Sequence, residues 1–324
     1  MNDDFKVSID DEILELVSAK LLNKLKDRER ILIAEATEKV ISQLKTLGRR
    51  ERTLHDYKKW VEHYQSVTAH SYVDQITATS IMSWLSSMDM LSQTTKNIRL
   101  KSFKAVLNRF HQNGWVDVRF WDDIQIKVDK VVKPCATIED VEKLIHTLDL
   151  TNWFELRDAV AILLMFKTGI RLATMSQLRE YHIDLDNHFL NLTSDIMKNH
   201  QPLKLPIDDI TCELIRTLKT ANKKILKKNN IRSSLLFITK NGEAVQSTFN
   251  NNVIQKRIAK YASVAQVENI NPHALRRGFA TNLMNSGASV ALISKALGHS
   301  SLEVTTQYLY LSREEVALNL RQYL

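Results

Sequence analysis

The apolar positions of this chain follow two periods, and the switch between them outlines its organisation. Through roughly the first 125 residues they recur every three or four positions, the spacing of one helix face. Ile13, Leu16, Val17, Leu21, Leu22 and Leu25 form one stripe, and Ile33, Ala36, Val40, Ile41 and Leu44 a second that Gly48 ends. Such a stripe fits either packing on the next domain or docking of a partner or accessory DNA contact. Further helices are predicted over 52–66, 77–87 and 93–113, with a short one near 117–123. Thr53 can cap the first of these, whose apolar face holds Tyr57, Trp60, Val61 and Tyr64. The helix over 93–113 turns Ile98, Phe103, Val106, Leu107 and Phe110 inward. It carries Lys96, Arg99, Lys101, Lys104 and Arg109 elsewhere, either as a solvated face or as a stripe along a phosphate backbone.

Residues 126–136 read as a linker, basic and containing Pro134. A helix capped by Thr137, with Asp140 at the capping-box position, follows. Leu156 to Met165 is an apolar helix broken at Thr168-Gly169, and Arg171 opens the next, with Leu172, Met175 and Leu178 facing the core. The period then changes to two. His182-Ile183-Asp184-Leu185, Phe189-Leu190-Asn191-Leu192 and Leu203-Lys204-Leu205-Pro206 read as short strands joined by polar turns. Helices are also read from Pro272 and from Val290, the second ended by Gly298, and Val316, Leu318, Leu320 and Leu324 mark a short last one. The fold class that follows is mainly α with a small antiparallel β-sheet (α+β). Its divisions are a helical N-terminal extension over 1–48, a helical domain over 49–125, the linker, and a C-terminal domain over 137–324.

Composition changes the picture in one respect. The chain has 324 residues, enough for two sizeable cores, and a net charge of +8. That excess points to a polyanionic partner, nucleic acid before membrane. The longest apolar run, Ala159 to Phe166, is far short of the ~20 residues that span a bilayer, so no membrane role is expected. The N-terminus lacks a secretory pattern, and Cys135 and Cys212 form no C-x-x-C pair. A cytoplasmic protein with two reduced thiols is the reading that fits.

The chemistry concentrates in the last fifth. Pro272-His273-Ala274-Leu275-Arg276-Arg277 precedes Leu297-Gly298-His299 and then Thr305-Thr306-Gln307-Tyr308. Arginine grips phosphate with a planar fork and keeps its charge, histidine donates or moves protons, and tyrosine can form covalent intermediates. Upstream, Arg171 sits beside Gly169 at a helix start, where it can approach an anion closely.

These spaced elements resemble the two signature boxes of the tyrosine recombinase (phage integrase) family. His273-x-x-Arg276, Gly298-His299 and a tyrosine nine residues after that histidine match the second box, and Thr168-Gly169-Ile170-Arg171 the first. The resemblance implies site-specific strand exchange by a two-domain DNA clamp. Arg171, Arg276, His273 and His299 would bind the scissile phosphate, and Tyr308 would attack it; Tyr310 is the rival nucleophile. Lys198, on the β-hairpin, would protonate the leaving 5′ oxygen, with Lys204 as alternative. Neither ATP nor a metal is required by that chemistry. Lys96, Arg99, Lys101, Lys104 and Arg277 are candidate DNA contacts. The implied partners are a double-stranded DNA recombination site, a second protomer per site as homodimer, a homotetramer in the synapse, and possible accessory proteins, at the nucleoid. The terminal apolar helix would dock into a neighbouring protomer. Two departures stand out. Thr174 replaces the usual acidic residue, which predicts altered bonding around the arginines, and Asn199 replaces the turn glycine, where asparagine tolerates a left-handed backbone. A type IB topoisomerase-like nicking-closing enzyme, and a non-catalytic DNA-binding protein on the same scaffold, are the alternatives.

Overall fold

The computed structural model describes residues 30–129, 133–248 and 251–298, with residues 10 and 13 besides. The chain divides into two compact units at Lys130/Val131.

The first unit is a helical bundle of α1 (Ile33–Thr46), α2 (Glu51–Thr68), α3 (Ala78–Ser86) and α4 (Gln93–Gln112). Its core is aromatic. Tyr64 stacks on Phe103 with centroids 4.7 Å apart, Trp84 closes on the same ring, and Phe110 and Trp121 complete the buried set. The stripe Ile33, Ala36, Val40 and Leu44 is buried in this core, so α1 is part of the bundle. Of the earlier stripe only Ile13 is described, and it is exposed; Leu16 to Leu25 lie outside the described residues.

Capping follows side-chain chemistry at two of these helices. Thr77 accepts from the Ser80 amide while the Ser80 hydroxyl bonds the Thr77 amide, and Ser92 accepts from the Thr95 amide at the head of α4. The expected cap at Thr53 is not formed. α2 starts earlier, at Glu51, from an extended Arg50 that makes no side-chain cap. Ile98, expected inside, is 59% exposed.

The second unit is α+β. Its centre is α6 (Trp153–Thr168), buried on nearly every side and packed against α8 (Asp209–Lys228), α9 (Val253–Val264) and α10 (Pro272–Asn285). Around it lie α5 (Ile138–His146), α7 (Leu172–Met175) and α11 (Val290–Leu297). Strands β1 (Ile183–Asp184), β2 (Phe189–Leu192) and β3 (Leu203–Pro206) form an antiparallel sheet in the order β1-β2-β3, with Leu190 opposite Ile183 and Leu205. Leu190, Leu192 and Leu205 face the core, which is the period-two signal made physical. A second ribbon pairs β4 (Gln246–Thr248) with β5 (Asn251–Asn252). Among the described residues no helix is long and apolar enough to cross a membrane.

Candidate active site

The site is assembled where α6, α7, α10 and α11 end or begin. α6 stops at Gly169, whose φ of +64° is left-handed. A side chain there would also drive into the Phe279 ring and meet Leu297 at 3.0 Å, so conformation and space both require glycine. The sharp exit puts Arg171 at the start of α7, in extended backbone and half-buried.

Arg276 comes from α10. Asn271 caps that helix, accepting from the His273 and Ala274 amides, and Pro272 occupies the first helical turn. Arg276 is 3% exposed. One of its terminal nitrogens donates to the Gly169 carbonyl and the other to the Leu297 carbonyl at 2.6 Å. Arg171 donates to the same Leu297 carbonyl at 3.5 Å. Two guanidiniums 105 positions apart in sequence are thus converged on one backbone oxygen at the end of α11. Backbone carbonyls thus help to hold both guanidiniums in place. A narrow crevice beside them is lined by Ile170, Arg171, Thr174, Met197, Arg276 and Leu297.

His273 lies one helical turn before Arg276 and is exposed. Its imidazole is held below its usual range, first by lost hydration and then by the charges of Arg277, Arg276, Lys133 and Arg171. The ring is therefore biased to the neutral form, able to accept a proton.

Lys198 is exposed in the 193–202 turn between β2 and β3. That turn is tied at two points. The buried Thr174 hydroxyl donates to the Ile196 carbonyl at 3.2 Å, and the Asn199 amide donates to the Gly298 carbonyl at 3.4 Å. These ties lead from the turn to the helix behind Arg171 and to the end of α11. The left-handed residue in the turn is His200, with φ of +55°, rather than Asn199. Lys204, the alternative to Lys198, lies with its ammonium 4.1 Å from the Phe189 ring centroid. His299, Tyr308 and Tyr310, and the terminal apolar helix, lie outside the described residues.

The candidate DNA contacts separate. Arg277 donates twice to the Pro134 carbonyl, at 3.0 and 2.6 Å. In the first unit Lys96 is buried and paired with Asp89 at 2.9 Å, and Arg99 lies 4.2 Å from the Trp60 ring centroid. Lys104 reaches the Asp122 carbonyl, while Lys101 is exposed. Sequence reasoning did not find the anchoring roles of Thr174 and Asn199. Thr174 was visible as a departure, but its partner is a backbone carbonyl that no motif reports.

Comparison with known proteins bears on family and fold. The model of the phage integrase family matches residues 136–315. The tyrosine recombinase XerD of Staphylococcus epidermidis is 26% identical over 278 residues, covering 84% of this chain and 89% of that protein. XerD of Staphylococcus haemolyticus is 25% identical over 286 residues, covering 85% and 93%. Among solved structures, the Tn1549 transposon integrase with a circular-intermediate DNA superposes with a TM-score of 0.72 at 16% identity, over 91% of this chain and all of that one. A lambda integrase dimer bound to a core site gives 0.68 at 14% identity, over 89% and 80%. The family match spans more than half of the sequence, and the chain belongs to the phage integrase family, the tyrosine recombinases.

Proposed function

We propose that this protein is a site-specific DNA recombinase that cuts and rejoins strands through a 3′-phosphotyrosyl intermediate, in integration and excision or in resolution of a mobile element. The observation that carries the reading is the convergence of Arg171 and Arg276 on the Leu297 carbonyl, with the Lys198 turn tied to the adjoining Gly298. A phosphodiester set against the two guanidiniums would have its charge offset as the fifth oxygen approaches phosphorus. Such preorganised donors act most strongly on charge that develops in the transition state. His273, biased to the neutral form, suits hydrogen bonding or proton acceptance there.

The phenolic oxygen of Tyr308 passes its proton to the neutral imidazole of His273 as it forms a bond to phosphorus, and the bond from phosphorus to the 5′ oxygen breaks. That oxygen takes its proton from the Lys198 ammonium. The step reverses when the 5′-hydroxyl of a partner strand attacks the phosphotyrosine. Bond energy is conserved throughout, so the exchange is isoenergetic. Pairing of two protomers on a site, and of two sites in a tetramer, extends the same reading. The DNA-bound structures of the Tn1549 and lambda integrases support duplex DNA as the partner.

The test is a duplex nicked near the cleavage point, from which the cut fragment diffuses away. Wild-type protein should accumulate a covalent complex, Tyr308→Phe none, and Arg276→Ala should bind DNA yet cleave at least ~100-fold more slowly. Covalent trapping by Tyr308→Phe would refute the nucleophile assignment.

A further inference from the structure

The charge of this chain is concentrated away from its candidate site. Residues 214–242 hold eight lysines and arginines and no aspartate or glutamate; the remainder of the chain balances 37 cations against 37 acids, so the whole +8 lies in this segment. Two of the eight have acidic partners, Arg216 with Glu213 at 3.2 Å and Lys219 with Glu180 at 3.3 Å. Lys223, Lys224, Lys227, Lys228, Arg232 and Lys240 are exposed. None of these six has an acidic partner among the described residues.

The fold gathers the six around one end of α8. Asn229 donates to the Ile225 carbonyl at 2.9 Å and to the Lys240 carbonyl at 3.1 Å, closing the 229–240 loop onto the helix. The helix dipole favours cations in the last turn, which accounts for Lys227 and Lys228. It does not account for Lys223, Lys224, Arg232 or Lys240.

This cluster cannot act on the scissile phosphate. The Trp153 indole donates to Asn222 at 2.9 Å and Arg157 to the Ile238 carbonyl at 2.9 Å, which fixes the basic end of α8 beside the start of α6. Arg171 follows the other end of α6. Sixteen helical residues separate the two ends, a span of roughly 24 Å. Screening at physiological salt acts over about 8 Å, a third of that span. The surface also carries no exposed large apolar side chain between Ile210 and Val264 among the described residues. Membrane insertion and protein hot spots both use such anchors. Binding along a phosphate backbone needs only the cations.

We propose that the basic end of α8, with Arg232 and Lys240, is a second duplex-DNA contact surface, distinct from the scissile-phosphate site and reading backbone rather than bases. This rests on the recombinase reading of the chain. The DNA it holds is either the flank of the bound site or a separate duplex segment.

The experiment compares wild type with Lys223→Gln/Lys224→Gln/Lys227→Gln/Lys228→Gln and with the four matching lysine-to-arginine changes. Binding is measured across a salt series on a duplex limited to the core site, on the same site with long flanks, and on the core site with a second duplex added. Cleavage of the nicked core-site substrate is followed in parallel. The glutamine variant should bind and cleave the short duplex as wild type does. It should lose about tenfold in affinity for the flanked duplex, or for the added duplex if that is the source. The slope of log affinity against log salt should fall by about 3 to 4, near 0.9 for each phosphate that the lysines no longer neutralise. The arginine variant should keep the wild-type slope. Unchanged affinity and slope of the glutamine variant on every DNA would overturn the proposal. Wild-type protein that shows the salt slope yet never traps a covalent complex would instead overturn the recombinase reading and leave this surface standing.

Discussion

Thr174 shows what a single substitution in a shared pattern does physically. A carboxylate at this position could only accept, and would draw the arginines toward it. The threonine hydroxyl donates, and its acceptor is the Ile196 carbonyl, two residues before Lys198. The arginines donate to the Gly169 and Leu297 carbonyls. The sequence made the departure legible but not the new partner, because the 193–202 turn is shaped by the strands on either side of it. For the same reason the left-handed residue fell at His200 and not at Asn199. Thr174→Val should leave a buried carbonyl unsatisfied, at a cost of about 1–3 kcal/mol, and loosen the lysine turn. Cleavage of an ordinary phosphodiester should slow by roughly 10- to 100-fold, equivalent to that cost. A substrate with sulfur at the 5′ bridging position has a leaving group that needs no proton, and on it the variant should regain most of the wild-type rate. Thr174→Ser should cleave normally on both. Equal slowing of Thr174→Val on the two substrates would mean that the hydroxyl serves stability alone and does not position the lysine.

Elements were more legible than side-chain partners, and α4 shows where the two part. At about 100° per residue, Ile98 lies about 180° round the helix from Leu107, and is exposed. Lys96 lies within about 40° of Leu100, Phe103 and Leu107, and is buried with Asp89 as its partner. Residue type suggested a basic stripe, whereas angle decided burial. In α6 the apolar run was plain, but the charges inside it were not. Asp158 is completely buried and accepts from Arg157 at 2.9 and 2.7 Å, from Arg257, and from the Tyr261 hydroxyl at 2.9 Å. Arg257 and Tyr261 stand about a hundred residues downstream, so no local pattern joins them to Asp158. Asp158→Ala would strand the buried Arg157 guanidinium. The expected loss is about 3–5 kcal/mol in the stability of the second unit. Hydrogen exchange should show amides of α6 losing protection while those of α4 keep theirs. Wild-type protection in α6 would mean that the network contributes no net stability.

Across the whole molecule, each unit holds an imidazole in a place that disfavours its charged form. His63 accepts from the Trp84 indole at 2.8 Å, and lost hydration, then Arg99 and Lys59, lower its pKa. His182 accepts from the Arg179 amide at 2.9 Å, and burial is the main force lowering its pKa. Protonating either acceptor nitrogen would turn two N–H groups against each other. Folded and unfolded chains therefore bind different numbers of protons. The unfolded histidines begin to protonate near their ordinary value of about 6.5, while the folded ones stay neutral to lower pH. In that window the unfolded state carries more protons, so stability rises with pH and falls as acid is added. The loss starts near pH 6.5 and levels off only once the depressed folded values are passed. Growing positive charge on an already basic chain acts in the same direction, and substitution separates the two effects. Glutamine can accept the same hydrogen bond through its side-chain oxygen without titrating. His63→Gln should flatten the pH dependence of the first unit alone, and His182→Gln that of the second, when protection of α4 and α6 amides is measured from about pH 7.5 to about 5.5, either side of the ordinary imidazole value. His273, also depressed, should leave a residual slope in the second unit of His182→Gln. If both variants lose stability in acid as steeply as wild type, general charge repulsion and not these two imidazoles sets the acid limit of the fold.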